Sequence, residues 1–212
     1  MIKAVLFDID GVLVDSFEAG LRFFQDILAS LGYPKPSRNA YKKAFHLPFV
    51  PALTHTAKAE LTEEWGRIHD IRKKVPYHSE LLSEPPGTKE TLRMLYKKYA
   101  LGIVTSRGME SVQTRYFPFA HTEGYFSVCI TADDCAKHKP NPEPLLLAAK
   151  RLKLKPSACV YIGDSHTDIE AGKAAGMKTI LFGRKKNPHA DASTSSFKKL
   201  PECIAEIQKR SR

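Results

Sequence analysis

Five short apolar runs, each of strand length, are spaced along the chain. They are AVLF at 4–7, LGIVTS at 101–106, FSVCIT at 126–131, ACVYIGD at 158–164 and KTILFG at 178–183. The runs are continuous rather than alternating, which is typical of strands buried on both faces of a parallel sheet. Helical segments lie between them, at Thr88–Lys98, Pro144–Leu152 and Thr167–Ala175. This order predicts right-handed crossovers and a doubly wound α/β domain.

The region between residues 16 and 83 has no strand-like run, and its pattern is helical. The segment LRFFQDILASLG at 21–32 has apolar residues at helical spacing and ends in a glycine, a typical stop signal. The segment ELTEEWGRIHDIRKKV at 60–75 also predicts a helix. A PPG turn at 85–87 marks the return to the sheet. We therefore expect a core of residues 1–15 and 84–212 with a helical insert of residues 16–83.

The end of the chain has weaker signals. The segment from Arg184 to Ser196 reads as a loop, and we expect the last residues, QKRSR, to fray.

Length and charge limit the classes of function. The 212 residues allow one core plus a smaller unit, and the 33 Lys and Arg against 23 Asp and Glu give a net charge of +10. These basic residues are dispersed with little aromatic interleaving, so they indicate steering of small anions rather than nucleic-acid binding. No run approaches the roughly 18 apolar residues of a membrane helix. We expect a cytoplasmic protein with no membrane partner, whose four cysteines are reduced. The oligomeric state is left open.

Polar residues end three of the five apolar runs, in FDIDG, IVTSRG and YIGDSHTD. The carboxyl ends of parallel strands share one edge of the sheet, where doubly wound proteins bind ligands. The residues expected to converge there are Asp8, Asp10, Thr105, Ser106, Asp164 and Asp168. Carboxylates that meet in one place repel each other unless a cation neutralises them, and oxygen ligands favour Mg²⁺.

A lysine fits the same site. Lys139 lies in HKPNPEP, a proline-rich turn just before a predicted helix. A lysine beside an aspartate nucleophile would keep the aspartate ionised and help to bind phosphate.

These segments, in this order, resemble the haloacid dehalogenase-like hydrolase superfamily, in the phosphatase branch that includes the phosphoglycolate phosphatases. The matching motifs are DxDG followed by VLVDS at Asp8–Ser16, the hydroxyl motif at Thr105, KPNPEP around Lys139, and GDSxxDIEAGKAAG at Gly163–Gly176. The match covers nearly the whole chain. It implies a Rossmann-like core with an inserted α-helical cap, which the chain enters at Asp15 and Ser16.

The resemblance also implies roles for the acidic residues. Asp8 would be the nucleophile that forms an aspartyl-phosphate, and Asp10 the general acid and base. Gly11 would permit the tight turn after the strand. Mg²⁺ would be bound by the Asp8 carboxylate, the Asp10 main-chain carbonyl and Asp164, with Asp168 supporting the site.

The remaining motif residues would bind the phosphoryl group. Thr105, the neighbouring Ser106 amide and Lys139 would hold its oxygens as charge shifts in the transition state.

The resulting hypothesis is a Mg²⁺-dependent phosphatase, similar to phosphoglycolate phosphatase, that acts on a small anionic phosphorylated metabolite. A pyrophosphatase and a β-phosphoglucomutase-like mutase are the alternatives within phosphoryl transfer. The mutase is less favoured because YKKAFHLPFVPALTHT lacks the arginine-containing cap motif of that branch. Asp10 argues against the halide-removing branch, which has no use for a second acid. A non-catalytic binding module is the alternative from another class.

Overall fold

Every strand that the apolar runs predict is present, within two residues of its predicted ends. The computed structural model describes residues 1–184 and 187–210. Its strands are β1 (Ala4–Phe7), β2 (Ala100–Val104), β3 (Phe126–Ile130), β4 (Cys159–Gly163), β5 (Lys178–Phe182) and β6 (Ala192–Thr194). Its helices are α1 (Phe17–Ser30), α2 (Arg38–Ala44), α3 (Phe49–Ala57), α4 (Trp65–Lys74), α5 (Thr88–Tyr96), α6 (Met109–Ser111), α7 (Phe117–Ala120), α8 (Glu143–Arg151), α9 (His166–Ala174) and α10 (Leu200–Arg210). A π-helical stretch, Val112–Tyr116, joins α6 to α7. Among the helices so described, none has both the length and the apolar character that crossing a membrane requires.

The chain divides into two compact units. One combines Met1–Asp15 with Glu84–Arg212, and the other is Ser16–Ser83. The first unit contains the sheet, and the second is helical.

The sheet of the first unit has six strands in the order β3-β2-β1-β4-β5-β6. All neighbouring strands pair in parallel. The chain runs outward from β1 to β3 and then returns to β4 on the other side of β1, so the winding direction changes beside β1. The predicted doubly wound, Rossmann-like α/β class is confirmed, and it places the topological switch point at the carboxyl ends of β1 and β4.

The apolar runs are continuous because helices cover both faces of the sheet. All the side chains of β1 are fully buried. Ala4 and Leu6 belong to a core cluster that also contains Leu145 of α8. On the opposite side, the Phe7 ring stacks on Phe197, with ring centroids 6.4 Å apart. A strand enclosed in this way has no solvent face, and an alternating pattern would bury polar groups without partners.

The predicted loop from Arg184 to Ser196, of which residues 185 and 186 lie outside the described residues, is wrong in part, because Ala192–Thr194 forms the edge strand β6. The segment AST has no apolar run, so the pattern could not reveal it. Its position depends on the backbone ladder to β5 and on Asp191, whose carboxylate accepts hydrogen bonds from the Thr179 amide at 2.9 Å and from Lys173 at 2.7 Å. The predicted fraying of QKRSR is also wrong as far as Arg210, where α10 ends, whereas residues 211 and 212 lie outside the described residues.

The second unit has its own core, formed largely by α1 and by aromatic side chains from the other helices. Helix α1 begins four residues before its predicted start at position 21. Gly20 in α1 allows the hydroxyl of Tyr41 to approach the helix backbone, where a Cβ atom would collide with it. The predicted helix at 60–75 is found as a 3₁₀ turn, Thr62–Glu64, followed by α4.

His78 ties the last part of this unit to its first helix. Its Nε2 lies 3.0 Å from Oδ2 of Asp26 in α1, and its Nδ1 lies 2.9 Å from Oε1 of Glu80. The hydrogen bond with Asp26, followed by that with Glu80, raises the pKa of His78 above its usual 6.5. Two carboxylate partners stabilise the imidazolium, so the protonated form carries the stronger link.

We expect His78 to stabilise the protein more in acid than in base. Because its pKa is raised on folding, its contribution is fully present below pH 6.5 and is lost as the pH rises through the higher folded pKa. His78→Gln should therefore lower the free energy of unfolding more at about pH 6 than at about pH 9. Urea unfolding at both pH values, with the exposed His55→Gln as control, measures the difference. A loss independent of pH would contradict the assignment.

Candidate active site

The polar residues that follow β1, β2 and β4 lie together at one edge of the sheet. Strand β1 is central, with β2 and β4 hydrogen-bonded on its two sides. The Asp8 amide donates to the Ile162 carbonyl of β4 at 2.9 Å, which fixes the first residue beyond β1. This strand order explains the predicted convergence, because β2, β1 and β4 are neighbours in the sheet although they are far apart in the sequence.

Lys139 lies between two aspartates in the interior of the site. Its Nζ is 3.0 Å from Oδ2 of Asp8 and 2.7 Å from Oδ1 of Asp168. All three side chains are buried, with 4% of Lys139, 11% of Asp8 and 1% of Asp168 exposed. Charges removed from water in this way must be compensated locally, so this lysine and its two carboxylates form one electrostatic unit.

The members of this unit differ in their tendency to hold charge. Burial acts to raise the pKa of Asp168, but Lys139 and the hydrogen bonds from Ser165 outweigh it and lower the pKa. For Asp8, burial dominates over the attraction of Lys139, and nearby carboxylates add to it, so its pKa rises to about 8. The pKa of Lys139 is raised because Asp168 and Asp8 outweigh its burial. Thus Lys139 and Asp168 form the fully charged pair, and Asp8 lacks a full counter-charge. The expectation that the lysine by itself keeps Asp8 ionised is wrong, because Lys139 is shared with Asp168 and burial of Asp8 outweighs its attraction.

Asp168 is held from two directions. Its Oδ2 accepts hydrogen bonds from the Ser165 hydroxyl at 2.6 Å and from the Ser165 amide at 3.1 Å, while its own amide donates back to that hydroxyl at 3.2 Å. This reciprocal capping box starts α9. The same carboxylate therefore begins a helix with one oxygen and binds Lys139 with the other.

Tyr161 belongs to the site, although sequence reasoning did not single it out. Its hydroxyl accepts from Lys139 Nζ at 2.9 Å and lies 3.1 Å from both the Val104 carbonyl and Asp168 Oδ1, either of which can receive its proton. The signal in the sequence was a tyrosine inside an otherwise aliphatic strand, because a buried phenol needs a polar partner.

Asp8, Asp164 and Asp168 provide oxygens that lie within 4.8 Å of one another. A set of carboxylate oxygens fits a hard divalent cation such as Mg²⁺, and Asp8 is the member that lacks a full counter-charge. Gly11 has φ +77°, and a Cβ atom there would lie 2.5 Å from Oδ2 of Asp164. The predicted glycine turn is thus confirmed, and it also leaves the space that the Asp164 carboxylate occupies. The Asp10 side chain is not part of this set.

Thr105 and Ser106 follow β2, next to the end of β1. Thr105 is 4% exposed, and its hydroxyl oxygen accepts a hydrogen bond from the Arg107 amide at 3.2 Å. Its own amide donates to the Ile130 carbonyl of β3 at 2.9 Å. The loop after β2 is therefore fixed by hydrogen bonds to its own side chain and to the neighbouring strand.

Arg107 was not a predicted site residue, and the structure places its guanidinium on Asp10. Nε donates to Oδ2 at 2.8 Å and Nη2 donates to Oδ1 at 2.6 Å. Only 10% of the arginine and 21% of the aspartate side chain is exposed. The sequence signal was a basic residue in IVTSRG directly after the two hydroxyl residues.

Comparison with known proteins identifies the family. The family model described as haloacid dehalogenase-like hydrolase matches residues 5–182. The chain belongs to this family. Pyrophosphatase PpaX from Bacillus cereus (strain ATCC 10987 / NRS 248) is 33% identical to this haloacid dehalogenase-like hydrolase over 184 aligned residues, and the alignment covers 84% of this chain and 82% of that one.

Solved structures agree with this family membership. A protein from Lactobacillus plantarum described as a phosphoglycolate phosphatase has a TM-score of 0.78 and 26% identity, with 96% of this chain and 99% of that chain covered. β-Phosphoglucomutase from Clostridium difficile has a TM-score of 0.85 over 100% of this chain and 99% of that chain, and its 21% identity shows a shared fold. The resemblance predicted from the sequence motifs is confirmed.

Tyr161→Phe should lower the free energy of unfolding of this hydrolase by about 1–3 kcal/mol, because it removes a buried partner of Lys139 and of the Val104 carbonyl. Urea unfolding without added metal measures the loss. Tyr96→Phe, at a side chain that is 50% exposed, is the matched control and should stay within about 0.5 kcal/mol of the wild type. Equal values for the two variants would show that the Tyr161 hydroxyl is not needed to stabilise the buried lysine.

Proposed function

We propose that the protein is a Mg²⁺-dependent phosphatase that hydrolyses a small phosphorylated metabolite through an aspartyl-phosphate. The observation that carries this proposal is the buried contact of Asp8 with the Lys139 ammonium. Asp164 and Asp168, which complete the acidic set with Asp8, lie beside this contact. A carboxylate held next to a fixed positive charge can approach an anionic phosphoryl group, which an isolated carboxylate would repel.

In the first half of the proposed reaction, an Asp8 oxygen bonds to phosphorus and the bond from phosphorus to the leaving oxygen breaks. Asp10, protonated at this stage, gives its proton to that oxygen. In the second half, Asp10 takes a proton from the water that attacks the aspartyl-phosphate, and Asp8 is released as a carboxylate. Thr105, the Ser106 amide and Lys139 hold the phosphoryl oxygens in both halves.

The acidic residues fit the metal that the family resemblance implies. Asp8 and Asp164 would hold Mg²⁺ together with the Asp10 main-chain carbonyl, and Asp168 would support the site through Lys139. The ion would supply positive charge that neutralises the phosphoryl oxygens and keeps Asp8 ionised.

For the substrate, we propose a small monoester of the phosphoglycolate type, in line with the motifs and with the Lactobacillus plantarum structure. Inorganic pyrophosphate is the second candidate, favoured by the name of the Bacillus cereus relative. The similarity to β-phosphoglucomutase is one of fold, so it adds no support for a mutase. We also propose that the unit Ser16–Ser83 acts as the substrate-selecting cap.

A cytoplasmic location is part of the same proposal. All four cysteines lie among the described residues and are free thiols, which suits a reducing compartment.

Asp8→Asn should lower kcat by about 10⁴-fold or more, because the amide cannot accept the phosphoryl group. The measurement is phosphate release with Mg²⁺ from p-nitrophenyl phosphate, phosphoglycolate, pyrophosphate, sugar phosphates and nucleotides. The ratio of kcat/KM for phosphoglycolate and pyrophosphate decides between the two substrate candidates.

Glu202→Gln makes the same carboxylate-to-amide change at an exposed position of α10 and serves as the control. Phosphate release by Asp8→Asn at the wild-type rate would refute the covalent mechanism. A wild-type protein that is folded but releases no phosphate from any compound would favour a mutase or a binding module instead.

Removal of divalent metal with EDTA should stop phosphate release, and Mg²⁺ should restore it. Mg²⁺ should also raise the melting temperature, since a ligand that binds only the folded protein stabilises it. This rise should be smaller in Asp164→Asn, which removes one negative charge from the acidic set. Activity and melting temperature unchanged by EDTA would contradict the metal assignment.

A further inference from the structure

The proposed mechanism gives no role to Arg107, although this residue holds Asp10 by two hydrogen bonds. Its guanidinium forms two parallel hydrogen bonds with the Asp10 carboxylate, at 2.8 Å and 2.6 Å. Pairs of this kind fix the plane and direction of a carboxylate as well as its distance. We propose that Arg107 is a positioning residue that holds one side of the Asp10 carboxyl group, so that the proton is carried on the side turned away from the guanidinium and is aimed at the leaving oxygen, an inference that rests on the proposed function.

The backbone of Arg107 is itself held in place. Its amide donates to the Thr105 hydroxyl at 3.2 Å, and its carbonyl accepts from the Ala132 amide at 2.8 Å. Strand β2 lies between β1 and β3. The loop after β2 is therefore tied to Ala132, just beyond β3, on one side, and the Arg107 side chain reaches Asp10 on the other. A guanidinium whose own backbone is fixed can orient its partner, whereas a guanidinium on a mobile loop would move with its partner.

The turn that contains Asp10 is fixed, but the Asp10 side chain is partly exposed. It lies two residues beyond Asp8, in the turn that Gly11 closes, where the Gly11 amide donates to the Val14 carbonyl at 2.8 Å. This bond fixes the turn, but the Asp10 side chain is 21% exposed and less enclosed than that of Asp8. Lys139 is engaged by Asp8 and Asp168, so the orienting charge for Asp10 comes from the neighbouring strand end.

A purely structural pair and a direct contact with substrate would each give a different result. If the pair only stabilised the fold, its loss would affect every substrate equally. If Arg107 instead bound the substrate directly, its loss would raise KM and would act independently of Asp10. A positioning role acts through Asp10 alone, and it matters most when the leaving oxygen needs a proton.

Leaving groups of different quality reveal this dependence. An alkyl phosphate such as glycerol phosphate needs proton donation as the phosphorus–oxygen bond breaks, whereas p-nitrophenolate departs as a stable anion. In Arg107→Gln, we expect the single-turnover rate with the alkyl phosphate to fall more than the rate with p-nitrophenyl phosphate, by a further factor of about ten or more. Arg107→Lys retains the charge without the two-pronged geometry and should lie between the wild type and Arg107→Gln.

A double-mutant cycle with Asp10 completes the test. In the Asp10→Asn background, Arg107→Gln should cause little additional loss, because the group it orients has already been removed. Arg151→Gln breaks another arginine–aspartate pair in the compact unit that contains the sheet, the pair with Asp134 at 2.6 Å. This variant is the control for a general loss of stability. Urea unfolding of each variant confirms that the rates compare folded proteins.

The outcomes distinguish the role of Arg107 from the proposed phosphatase function. Equal losses with both esters, or losses that simply add in the Asp10→Asn background, would overturn the role of Arg107 while leaving the phosphatase proposal intact. A wild-type protein that turns over neither these esters nor any other compound of the phosphate-release panel would overturn the proposed function itself.

Discussion

The buried Lys139 ammonium is the charge on which the arrangement of the site depends. It joins three separate parts of the chain, because its partners are Asp8 beyond β1, Asp168 in the first turn of α9 and Tyr161 within β4. A buried ammonium is costly without such partners, and removing one of them would leave an uncompensated charge in the interior. The geometry of Asp8, the proposed nucleophile, is therefore fixed by the same contacts that compensate the charge of the buried lysine.

The strand order brings further candidate site residues to the edge of the sheet where Lys139 and Asp8 pair. Since β1 is central and the winding direction changes beside it, residues from β2 and β4 meet on either side of Asp8. Gly163 contributes at close range, because a Cβ atom there would collide with the Asp168 side chain. The end of β4 and the start of α9 can thus pack directly against each other, which brings Asp164 and Asp168 to the same edge.

Periodicity and motif order predicted the strands and the acidic convergence, because both depend on local patterns and on one topological rule. They did not predict β6, whose three residues are placed by backbone pairing and by Asp191 rather than by apolar side chains. Nor did they predict Arg107 or Tyr161, whose importance lies in contacts with residues far away in the sequence. A pattern shows which side chains are buried or polar, but side-chain partners depend on how the strands lie side by side.

The two cations of the site have separate partners. Lys139 contacts Asp8 and Asp168, and Arg107 contacts Asp10, so the proposed nucleophile and the proposed acid and base are oriented by different charges. Arg107 nevertheless connects the two proposed roles, phosphate binding and proton transfer, since the Thr105 hydroxyl accepts a hydrogen bond from the Arg107 amide. A shift of Thr105 on binding a phosphoryl oxygen would move the residue that aims Asp10. Phosphate binding and proton transfer would then be coupled through a single loop, by hydrogen bonds that already exist before substrate binds.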